Sequence, residues 1–194
     1  MIDLATVMHQ CAPSVAPTVL EAIIRTESSF HPLALHVNGN VRLRSAPKSA
    51  AQAAAWSTWL IKQGYSIDMG LMQINSHNLA SLNLTTEGAF DPCQNVRAGA
   101  ALLQSQYARA RQAGSPGSTA LLQAISAYNT GNFQGGFRNG YVAKVMMNNA
   151  DAREILTLDM TCLLSHCGRP GSDVRQVARA YNADTAIGGF GVAP

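Results

Sequence analysis

Pro17-Thr18-Val19-Leu20-Glu21-Ala22-Ile23-Ile24-Arg25-Thr26-Glu27, followed by Ser28-Ser29-Phe30-His31-Pro32, is the stretch on which the reading of this chain turns. At about 100° per residue, Val19, Ala22, Ile23 and Glu27 share one stripe of a helix. Glu21 and Arg25 lie elsewhere, four apart in the order that favours a surface ion pair. Glu27 therefore points where the apolar side chains point, and a carboxylate there is costly unless it is paired or protonated. Burial raises a glutamate's pKa, which suits a proton donor near neutral pH. The same position suits a glutamate held by a structural hydrogen bond, and the helix alone leaves both readings open. Pro17 fits a first helical position, and the helix is expected to stop near Phe30-His31-Pro32, because the residue before a proline leaves the helical region.

The chain has 194 residues, enough for one domain of ordinary size with a real core. Hydrophobic residues make up 47% and charged residues 13%, too apolar for a disordered chain and too sparsely charged for a coiled coil. Net charge is +3 and the pI about 8.8, but the densest basic spot is only Arg42-Leu43-Arg44, so nucleic-acid binding is not expected. No apolar run reaches the roughly 18 residues that span a bilayer. The start, Met1-Ile2-Asp3-Leu4-Ala5, lacks the basic region and apolar run of a secretory signal; export then rests on a signal already removed or on a feature not visible in this chain.

Outward from the Glu27 helix, residues 2–10 read as a short helix ended by the turn Cys11-Ala12-Pro13-Ser14. Val37-Asn38-Gly39-Asn40-Val41-Arg42-Leu43 carries an Asn-Gly turn signal between apolar residues and predicts a small β-hairpin over 36–46, with an irregular loop as the alternative. Residues 48–63 read as an alanine-rich helix stopped by Gly64. Trp56 and Trp59 share one of its faces, which is read as core packing. Tyr65 to Asn75 reads as an ordered turn entering a short helix near Ser76. Asp91-Pro92 marks a helix start, with Asp as N-cap, and the helix runs to about Gln112 with Val96, Ala100, Leu103, Tyr107 and Ala110 buried. A helix over 118–128 is almost wholly apolar and should be central. Asn129-Thr130-Gly131-Asn132 ends it, and a glycine-rich segment leads to a helix at 141–149. The expected organisation is a mainly α body, residues 1–150, and a C-terminal extension, 151–194, partly helical and ending in a flexible tail.

Four cysteines allow three full pairings. The simplest joins Cys11 to Cys93 and Cys162 to Cys167. Free thiols are the alternative. Cys162, His166 and Cys167 lie close in sequence but lack two well-spaced ligand pairs, so no metal site is expected.

Four segments stand in order along the chain: Glu27-Ser28-Ser29-Phe30, Gly70-Leu71-Met72-Gln73-Ile74-Asn75, Ala127-Tyr128-Asn129-Thr130-Gly131-Asn132, and Tyr141-Val142-Ala143-Lys144-Val145. Together they resemble the lysozyme-like transglycosylases of the soluble-lytic-transglycosylase superfamily, over about residues 11–147. The Cys-Ala-Pro start, the long insert between the first two motifs and Asp91-Pro92-Cys93-Gln94-Asn95 are closer to the VirB1-like branch that accompanies type IV secretion and conjugation machinery. The resemblance implies an α+β lysozyme-like fold, its small β element beside a substrate groove. It also implies cleavage of the peptidoglycan glycan between N-acetylmuramic acid and N-acetylglucosamine, without a cofactor. It assigns Glu27 as the sole acid/base, places Met72 and Gln73 in the groove and Tyr128 and Asn129 on its floor, and puts Tyr141 near the carboxyl. The superfamily's Ser-x-x-Gly-Ala-x-Gly approach to Gly-Leu-Met-Gln is replaced here by Ser66-Ile67-Asp68-Met69, which makes Ser66 the candidate for the serine that assists the glutamate. The implied partners are glycan strands and type IV secretion components, and the implied compartment is the periplasm, where cysteines pair.

Ordinary glycosidases use two carboxylates. Asp68 is the best second candidate, although it also reads as a turn or capping residue. Asp91 is used as an N-cap, and Glu87 sits in a polar loop. With Glu27 alone, the resemblance implies a route in which the sugar's own C6 hydroxyl attacks C1 and yields a 1,6-anhydro product. Two other readings stand beside this one: a lysozyme-type hydrolase using Asp68, and an assembly factor that acts mainly by binding through residues 151–194.

Overall fold

The computed structural model describes residues 3–149. The elements are α1 (Leu4–Cys11), α2 (Pro17–Ser28), β1 (Leu35–Val37), α3 (Ala50–Lys62), β2 (Ile67–Met69), β3 (Ile74–Asn75), α4 (Pro92–Gln112), α5 (Gly117–Thr130), α6 (Gly135–Arg138) and α7 (Tyr141–Asn148), with single 3-10 turns at Ser76–Asn78 and Gly88–Phe90. The described residues are thus mainly helical with one small antiparallel sheet, as expected. No helix among them is long and apolar enough to cross a membrane. The extension from 151 on, with the expected Cys162–Cys167 pair, lies outside the described residues.

The described residues divide into two compact units: those before Ser14 with Ile23–Leu102, and Ser14–Ala22 with the described residues that follow Leu102. In the first, side chains cap two helix starts, that of α4 by the Asp91 expected from the sequence and that of α3 by a serine the sequence had not singled out. Ser49 accepts a hydrogen bond from the Gln52 N–H at 3.2 Å at the start of α3, and Asp91 Oδ1 accepts from the Gln94 N–H at 2.8 Å at the start of α4. Cys11 and Cys93 form a disulfide that ties α1 to the first turn of α4 across 82 residues. Ile23, Ile24, Ile67, Met69, Met72 and Val96 are fully buried and form the centre of this unit.

The sheet has the order β1-β2-β3, with His36 opposite Asp68 and Asp68 opposite Asn75. Alternation sorts its faces: Val37, Ile67, Met69 and Ile74 are buried on one, while His36, Asp68 and Asn75 stand on the other. The hairpin expected over 36–46 is not formed. β1 pairs instead with β2, thirty residues on, and 41–47 is irregular chain. Val37 is buried against Ile67 while Val41 is exposed, so only the first valine has an apolar face to join. The hairpin lies in the stretch read as an ordered turn, where Gly70-Leu71-Met72-Gln73 connects β2 and β3. The face bearing Trp56 and Trp59 is not core either: Trp59 is 59% exposed, and α3 buries Ala53, Ala54, Ser57 and Leu60.

In the second unit α5 is central, with Leu121, Leu122, Ala124 and Ile125 buried, and it packs against α6 and α7. Gly131 caps α5 at φ +74°, a conformation that costs glycine little. α7 buries Tyr141, Val142, Val145 and Met146.

Candidate active site

The end of α2 sets the position of Glu27. Ser29 and Phe30 adopt φ +51° and +68°, two consecutive non-glycine residues in the left-handed region. Each costs on the order of 1–3 kcal/mol and is kept only where the surroundings over-determine it. The His31 N–H donates to the Ser28 carbonyl at 3.0 Å, and the Arg25 guanidinium lies 4.7 Å from the Phe30 ring centroid. The chain therefore turns back after Ser28, one residue past Glu27, rather than continuing the helix. Glu27 is half-buried and opens into a cleft of about 1120 Å³. The walls are residues 31–37, which lead into and form β1, and the irregular loop 41–47; Gln73 enters from the β2–β3 turn.

Gln73 is held in place. Its side-chain amide Nε2 donates to the carbonyls of Ala34 at 3.2 Å and Gly70 at 2.9 Å. Both partners are acceptors only, which fixes the amide's orientation and leaves Oε1 as the group a ligand's N–H or O–H meets. Gly70 turns at φ +75°, and a Cβ there would lie 2.2 Å from the Ala89 carbonyl oxygen, so the turn admits no other residue. The turn is pinned to α4 by Asn95, which is 1% exposed. Asn95 Nδ2 donates to the Met69 and Ala89 carbonyls at 2.9 and 2.8 Å, and Oδ1 accepts from the Met72 N–H at 2.8 Å.

Of the residues singled out in the sequence, the cleft brings together Glu27 and Gln73. Met72, expected in the groove, is fully buried and packs onto α4, where a Cβ on Gly99 would fall 2.3 Å from its Sδ. It fills the core beneath the turn. Ser66 and Asp68 are outside the cleft lining. They belong to a polar cluster on the solvent face of the sheet. Asp68 accepts from Asn38 Nδ2 at 2.9 Å and Asn75 Nδ2 at 2.7 Å, and Ser66 Oγ accepts from the same two amides at 3.3 and 3.0 Å. Asp68 thus joins β1's end to β3. Glu87 lies in the 3-10 turn region, where its own backbone N–H and the Thr85 hydroxyl hold its carboxyl below the usual range.

The second unit carries the other named residues. Asn129, exposed, accepts from Asn139 Nδ2 at 2.9 Å, while Asn139 Oδ1 accepts from the Tyr141 N–H at 3.0 Å. Asn139 therefore couples the end of α5 to the start of α7, a role that its place in a glycine-rich segment did not signal. Tyr128 is half-buried and Tyr141 buried.

The sequence reading also missed the cations of the cleft. Arg42 and Arg44, noted only as a basic spot, stand on its wall with His31 and His36. Glu27 is the single carboxylate among the described lining residues. Among the described residues no three His, Cys, Asp or Glu side chains are grouped to hold a metal ion.

A family model described as "Transglycosylase SLT domain" matches residues 6–150. "Protein virB1" of Agrobacterium fabrum (strain C58) is 46% identical over 137 residues, which are 71% of this chain and 55% of that protein. "Type IV secretion system protein virB1" of Brucella abortus biovar 1 is 38% identical over 153 residues, 75% of this chain and 63% of that protein. The chain thus spans little more than half the length of the first of these relatives. No solved structure matches it. With the match covering the sheet, the cleft and the helices on which the four motifs sit, the chain belongs to the transglycosylase SLT domain family.

Proposed function

We propose that this chain is a peptidoglycan lytic transglycosylase that cuts the β-1,4 bond between N-acetylmuramic acid and N-acetylglucosamine and leaves a 1,6-anhydro end. The reading rests on one observation: among the described residues the cleft is lined by one carboxylate, Glu27, while the other candidate, Asp68, is engaged by two asparagines outside it. A two-carboxylate hydrolase needs both groups across the scissile bond. With one, the same group serves twice. Glu27 first protonates the glycosidic oxygen as that bond breaks, while the substrate's acetamido oxygen stabilises the positive anomeric carbon. The resulting carboxylate then takes the proton of the muramic C6 hydroxyl as that oxygen attacks C1. No water is consumed, and Glu27 ends as it began. Gln73 Oε1 is offered to an N–H or O–H of the sugar. Tyr128, Asn129 and Tyr141 are assigned to substrate binding on the strength of their motifs.

We place this opening of the wall at a type IV secretion or conjugation apparatus, supported by a relative named as a type IV secretion system protein. A periplasmic location fits that substrate and the Cys11–Cys93 disulfide. Digestion of purified sacculi tests the reaction: muropeptides lighter by one water are expected, and reducing-end products would reject the transglycosylase in favour of a hydrolase.

A further inference from the structure

Beside the cleft lies a second, smaller concavity of about 320 Å³, lined by Trp56, Trp59 and Leu60 of α3 and by Leu43, Arg44 and Ser45. The last three residues also line the cleft that holds Glu27, so the loop 41–47 is a wall common to both. Trp59 is 59% exposed, the costliest kind of side chain to leave in water unless it meets a partner. Two indoles on one helical face, with a guanidinium and a hydroxyl alongside, match the two-sided character of a pyranose, which has apolar C–H faces and a polar rim. The volume falls at the small end of ligand sites, roughly 300–1,000 Å³.

We infer that Trp56 and Trp59, with Arg44 and Ser45, form an outer sugar subsite that holds the glycan strand away from the bond being cut. The inference builds on the proposed reaction and names a further part of the same polymer as occupant. Continuity through the common wall is what selects a glycan over a protein partner: a strand seated in the cleft reaches the indoles by crossing one loop.

The chain's only two tryptophans are these two, so tryptophan emission, excited beyond the tyrosine band, reports this concavity alone. The full chain carrying Glu27→Gln, which leaves the probe intact, is titrated with penta-N-acetylchitopentaose. A saturable blue shift is expected, and Trp59→Ala should remove most of it. With Glu27 restored, Trp59→Ala should lower kcat/KM on long glycan strands about ten-fold through KM, and Trp59→Phe should recover part of the loss, since a phenyl ring keeps a stacking face. Emission unmoved by the pentamer, or a Trp59→Ala variant with wild-type KM and an unchanged circular dichroism spectrum, overturns the inference. Sacculus digestion separates the two readings. Strands cleaved with silent tryptophans defeat the subsite alone; responsive tryptophans without cleavage uphold the subsite and defeat the reaction.

Discussion

The backbone N–H of Met72 donates to Asn95 Oδ1 at 2.8 Å, in the interior of the first unit. This bond and the two that Asn95 donates hold the turn that presents Gln73 to the cleft. Asn95→Ala removes the acceptor of a buried N–H and the donor to two carbonyls. The expected loss is about 3 kcal/mol or more, read as a lowered urea midpoint. Asn95→Asp should be at least as damaging, because it keeps the acceptor but turns a carboxylate oxygen towards two carbonyls.

Gly70 and Gly39 both have positive φ, at +75° and +94°, yet differ in their surroundings. A methyl on Gly70 meets the Ala89 carbonyl and Asn95, whereas nothing lies within 4 Å of one on Gly39. Gly39→Ala should therefore cost only the backbone term, about 1–2 kcal/mol. Gly70→Ala should yield little soluble folded protein; equal melting temperatures for the two variants would contradict this.

Glu27→Gln should reduce turnover of glycan strands by about 10²–10⁴-fold while the fold persists, since general acid–base catalysis carries that much. Asp68→Asn should leave turnover within about three-fold of wild type, less than about 1 kcal/mol of barrier. Equal losses in the two variants would restore the hydrolase with two carboxylates.

Reduction of the Cys11–Cys93 bond opens a loop of 82 residues. The chain-entropy model gives about 4–5 kcal/mol for a loop of that size. The urea midpoint should fall accordingly on adding a reductant, and the Cys11→Ser/Cys93→Ser double variant should show the same fall without reductant.

Asn139→Ala removes both the bond to Asn129 and the acceptor for the Tyr141 N–H. A stability loss of about 1 kcal/mol is expected, typical of a lost helix cap, measured as a shift in thermal midpoint.

Local information in the sequence determined the helices. Asp91 before Pro92, the 3.6-residue stripes of α2 and α4 and the near-continuous apolar run of α5 each act within one turn or two of chain, so they can be read without knowing the partner. Glu27 was legible for the same reason, as an acid among aliphatic residues, and Gln73 through its motif. The tertiary structure alone decided the pairing of β1 with β2, because strands of three residues carry no usable period and their partner is thirty positions distant. It also decided that Asp68 and Ser66 brace the sheet, that Met72 is core, and that Asn95, Asn139 and the arginines of the 41–47 loop matter. The face of α3 that carries the indoles shows why: periodicity reveals which side chains share a face, but burial depends on what another part of the chain lays against it, and nothing in the local sequence encodes that neighbour.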